Sequence, residues 1–119
     1  MPSTSTFCMV VHTFKTGTKD SWWGSVMEYL NDEKKMAQMS KQQEEAGFFN
    51  HTFMPEENDS FMWCIWELKE GQSVEEFQKW IDSKPMSEGG PSLNKEGKLC
   101  FNNSIYKLKM CPNGFTPKY

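Results

Sequence analysis

The chain has 119 residues, a net charge of −3, and 13 basic residues that are all Lys, with no Arg. The length suits one domain. The acidic balance and lack of Arg argue against nucleic-acid recognition and against an Arg-clamped carboxylate or phosphate substrate. No run of 18 apolar residues is present, so a membrane span is not expected. Leu, Ile and Val are scarce, but 9 Phe, 9 Met, 5 Trp and 3 Tyr supply the bulk for a core.

In chain order, residues 1–6 read as a polar arm without the apolar segment of a secretory signal. Residues 7–14 read as a strand. Thr18 or Asp20 is placed to cap a helix over about 20–30, with Trp22, Trp23, Val26, Met27 and Leu30 at helical spacing. The stripe fails at Glu33 and resumes on a shifted face at Met36, Met39, Gln43 and Ala46, so a second helix over about 33–46 is expected. Asn31 and Asp32 mark the break, and Gly47 the left-handed end.

Residues 48–54 read as a second strand and 61–68 as a third, joined as a hairpin through the acidic turn 55–60. Ser73-Val-Glu-Glu76 is a capping box opening a helix with Val74, Phe77, Trp80 and Ile81 on one face. Pro85 ends it. Residues 83–98 read as a long Gly/Pro loop, 99–110 as the last strand, and 111–119 as a frayed tail. The four cysteines have neither C-x-x-C nor zinc-finger spacing, and read as buried hydrophobes in a reducing, cytoplasmic setting.

The order β-α-β-β-α-β gives an α+β fold of ferredoxin-like type over residues 7–110: a four-stranded antiparallel sheet with the helices on one face. In the first and third strands both alternating sets are apolar, Cys8/Val10/His12/Phe14 against Phe7/Met9/Val11/Thr13, and Met62/Cys64/Trp66/Leu68 against Phe61/Trp63/Ile65/Glu67. Helices cover one face only. With no spare element for the other, a homodimer packed sheet to sheet is expected.

This element order, the divided first helix, and Phe-Phe-Asn-His-Thr-Phe-Met-Pro followed by Met-Trp-Cys-Ile-Trp-Glu resemble the dimeric α+β barrel superfamily. The resemblance implies a cavity between sheet and helices. It spans antibiotic-biosynthesis-type monooxygenases, small polyketide cyclases, haem-degrading enzymes and small stress-responsive proteins, so the fold alone names no reaction. The superfamily's cyclases carry a cavity-facing His on the first strand, a position His12 matches. Their second His follows the second helix, and Pro85–Lys98 contains none, which leaves His51 to substitute.

The candidate catalytic residues are therefore His12 as general base, His51, and Glu67 as a carboxylate beside apolar surface. Trp22, Trp23, Phe49, Phe53, Trp63 and Trp66 are candidate walls for a flat apolar or aromatic ligand. The reading is a homodimer that binds such a molecule, as a cofactor-independent monooxygenase or cyclase-like enzyme. The alternative is a non-catalytic ligand carrier or sensor, in which His12, His51 and Glu67 form a two-His-one-carboxylate metal set. No cofactor, resident metal or nucleic-acid partner is otherwise called for.

Overall fold

A computed structural model of the chain describes residues 4–119, so the first three residues of the arm lie outside the described residues. Strand β1 (Thr6–Phe14) leads to helix α1 (Lys19–Leu30) and helix α2 (Glu33–Ala46). Strands β2 (Phe48–Asn50), β3 (Met54–Pro55) and β4 (Phe61–Leu68) follow, then α3 (Val74–Ser83), a 3-10 turn at Met86–Glu88, and β5 (Phe101–Lys107). The sheet runs β2-β4-β1-β5, with β3 also on β4, and every pairing is antiparallel.

Local chemistry sets the boundaries. Asp32 accepts from the backbone N–H of Lys34 and Lys35 and so starts α2. Gly47 closes it at φ 89°, where a β-carbon would strain the backbone. Ser73 Oγ accepts from Glu76 N at 3.0 Å, and its hydroxyl also donates to the Glu76 carboxylate at 3.1 Å. Thr18 precedes α1 without capping it. Its hydroxyl is drawn instead to the carbonyls of Lys15 (2.7 Å) and Cys100 (2.9 Å), tying the β1–α1 turn to the β5 approach.

The sheet has five strands rather than four because the segment 48–54 is broken. Asn50 Oδ1 accepts from Thr52 N at 3.0 Å, an Asx turn that diverts the chain before Met54 and Pro55 rejoin β4. The loop 83–98 is also more structured than a plain connection. It holds the 3-10 turn and a bridge between Leu93 and Leu99, and the last strand is correspondingly shorter than 99–110.

One sheet face carries all the helices. Cys8, Val10, Cys64, Trp66 and Leu68 pack against Phe77, Trp80 and Ile81 of α3. Met62 and Phe101 pack with Trp22, Val26 and Met39 of α1 and α2. The opposite face presents Phe7, Met9, Val11, Trp63, Ile65 and Tyr106, paired across strands by the register.

That second face is not wholly uncovered. The tail, expected to fray, docks over one end of it: Phe115 lies edge-on to His51 with ring centroids 5.8 Å apart, and the Lys118 ammonium sits 5.0 Å from the Phe49 ring. Away from the docked tail Phe61, Met54 and Tyr106 remain exposed. No helix among the described residues is long and apolar enough to cross a membrane.

Candidate functional site

The helix-side face carries a half-open cavity of about 250 Å³ between α1, α2 and the broken β2–β3 segment. Its apolar wall consists of Trp22, Val26, Leu30, Met36, Met39, Phe53 and Pro91. The α1 and α2 stripes seen in the sequence supply five of these. Ser40, Gln43, Asn50, His51 and Thr52 border the other side. Leu30, 39 % exposed, marks the mouth.

The wall is held by buried polar contacts. Trp22 Nε1 donates to the Pro91 carbonyl at 2.7 Å, which pins the indole. Gln43 Nε2 donates to the Gly89 carbonyl at 2.9 Å, and Gln43 Oε1 accepts from Asn50 N at 3.3 Å. Gly90 permits the loop to turn back here, since a β-carbon on it would stand 1.9 Å from the Lys84 carbonyl oxygen.

Of the aromatic residues singled out from sequence, Trp22 and Phe53 line the cavity. Trp23 stands behind them, edge-on to both. Trp66 is core, packed on Phe77 and Trp80. Trp63 and Phe49 belong to the opposite sheet face, as their pairing with Val11 and Glu67 requires. Val26, Met36, Met39, Ser40, Asn50, Thr52 and Pro91 were not legible as cavity residues, because the break after Asn50 that opens the space is a tertiary feature.

His12 is 1 % exposed and lies off the cavity wall, tilted against Phe101 with centroids 4.9 Å apart. Its Nδ1 is hydrogen-bonded to Asn103 Oδ1. Asn103 Nδ2 donates to Asp82 Oδ1 (2.8 Å) and Ser92 Oγ (2.9 Å), so the amide is oriented and His12 Nδ1 is the protonated nitrogen. Burial pushes the imidazole down to about 4, against the hydrogen bond it donates to Asn103 and the charge of Asp82. It is neutral at pH 7.

Glu67 and His51 meet on the other sheet face. His51 Nε2 donates to Glu67 Oε1 at 2.7 Å. The carboxylate, 0 % exposed, also accepts from Ser5 Oγ (2.5 Å), Lys118 N (2.7 Å) and Tyr119 N (3.4 Å). Burial pushes its pKa up, but these donors outweigh it and hold the carboxyl below its ordinary value. Phe7 and Phe49 wall the imidazole at centroid distances of 5.4 and 5.0 Å.

His12 therefore does not join His51 and Glu67: the sheet separates them, and the two-His-one-carboxylate metal set is not assembled. Among the described residues no group of three His, Cys, Asp or Glu side chains could hold a metal ion. The four cysteines are free, and burial raises the Cys8 and Cys64 thiols to about 11 and about 12, which makes them poor nucleophiles.

No curated protein and no solved structure gives a significant match to the chain. A family model described as a domain of unknown function, DUF8652, matches residues 7–114. With the match running from the first strand past the last one, over most of its length, the chain belongs to the DUF8652 family.

Proposed function

We propose that this protein binds a small apolar or aromatic molecule in the cavity between α1, α2 and the β2–β3 segment. The observation that carries the reading is the cavity itself: about 250 Å³ of space walled by Trp, Phe, Met, Leu and Val beside a closely packed core. An apolar cavity of roughly 150 Å³ accommodates benzene, so this one suits a one- or two-ring molecule. The non-catalytic binding reading is favoured over His12-based catalysis, because the only cavity-bordering His is His51 and its Nε2 is committed to Glu67.

The same reading includes a ferredoxin-like unit that pairs with a second copy through its open sheet face. The strand order β2-β4-β1-β5 and the one-sided helices support the first part. The exposed Met54, Phe61 and Tyr106 on the opposite face support the second.

Equilibrium dialysis with naphthalene as probe tests the binding. The wild-type chain takes up one equivalent. Val26→Phe, which fills the space from its α1 wall, weakens uptake about tenfold or more while keeping or raising Tm. Equal uptake by both proteins places the probe elsewhere and overturns the reading.

A further inference from the structure

Resting on that binding reading, we infer that the cavity selects a neutral ligand with an apolar ring body and one hydroxyl or carbonyl group, held by the hydroxyls of Ser40 and Thr52. Two observations carry this. The first is charge. No Lys, Asp or Glu borders the cavity, and the chain has no Arg. His51, the one titratable residue bordering it, turns its imidazole to the opposite sheet face, where Nε2 is tied to Glu67. A carboxylate or ammonium brought into such a space would lose its hydration without gaining a counter-charge.

The second is which polar groups remain free. Gln43 is used at both ends, by Gly89 and Asn50, and Asn50 Oδ1 is used by Thr52 N. Trp22 Nε1 is used by Pro91. The Ser40 and Thr52 hydroxyls make no hydrogen bond to any described residue. Neither is among the side-chain atoms buried without a partner, so both keep open surface. Ser40 on α2 and Thr52 on the β2–β3 segment both border the cavity, and each hydroxyl can donate and accept. They can donate to or accept from a ligand hydroxyl or carbonyl, and they supply no counter-charge for a carboxylate or ammonium.

Dialysis of the full chain against naphthalene, 2-naphthol and 2-naphthoate reads the selection. The Kd ratio of naphthalene to 2-naphthol falls about tenfold between wild type and the Ser40→Ala/Thr52→Val variant, the effect of losing the hydrogen bonds to one group. In the wild type, 2-naphthoate binds about tenfold or more weakly than 2-naphthol. An unchanged ratio, or a naphthoate that binds as tightly as the naphthol, overturns this inference while the binding reading stands. Failure of naphthalene and 2-naphthol alike to bind overturns both.

Discussion

His12 is kept neutral by burial, and its protonation opposes folding. Its folded pKa of about 4 lies below the unfolded 6.5. The native state therefore binds fewer protons than the unfolded chain, and stability rises with pH through this window. The contribution is complete above pH 6.5 and is lost as pH falls toward 4, amounting to about 3 kcal/mol. Thermal unfolding followed from pH 7 to 4 is expected to show this decline. It should be much shallower in His12→Gln, whose amide still donates to Asn103 Oδ1. Equal slopes would mean that His12 is not buried as a neutral ring.

At the scale of elements, the tail is tied to the sheet chiefly through one carboxylate rather than a ladder. Glu67 joins β4 to the arm through Ser5, to the β2 extension through His51, and to the tail through two backbone N–H groups. A second tie runs from Tyr119 to the end of α2, where its hydroxyl donates to the Glu44 carbonyl at 2.8 Å. Glu67→Gln replaces one acceptor with a donor facing other donors. It is expected to cost about 1–3 kcal/mol and to speed amide exchange at Lys118 and Tyr119 ahead of the β1 and β4 amides. Uniform exchange across tail and sheet would show that the carboxylate does not hold the segment.

At the scale of the molecule, the sheet divides two environments: a helix-side face containing the cavity and the His12 network, and an apolar face that the tail covers at one end. The proposed pairing of two copies buries the remainder. Light scattering at micromolar concentration is expected to give twice the chain mass, and Val11→Asp with Trp63→Asp is expected to give the single-chain mass with the fold retained. A wild-type chain that scatters as a monomer would remove the pairing and leave the cavity untouched.

What the sequence determined alone are the features encoded within a few residues. The break at Asn31–Asp32, the left-handed Gly47, the Ser73 box and the apolar stripes of α1 and α2 are legible because capping and helical periodicity act over three or four positions. Both faces of β1 and β4 are legible as apolar from alternation alone. Only the tertiary structure decided that Asn50 breaks the second strand and opens a cavity, and that the tail closes over Glu67. It also put His51 beside that carboxylate and His12 on the far face. Each depends on cross-strand register or on contacts between residues as much as 91 positions apart. A one-residue change in register would carry a side chain to the other face without altering any local pattern.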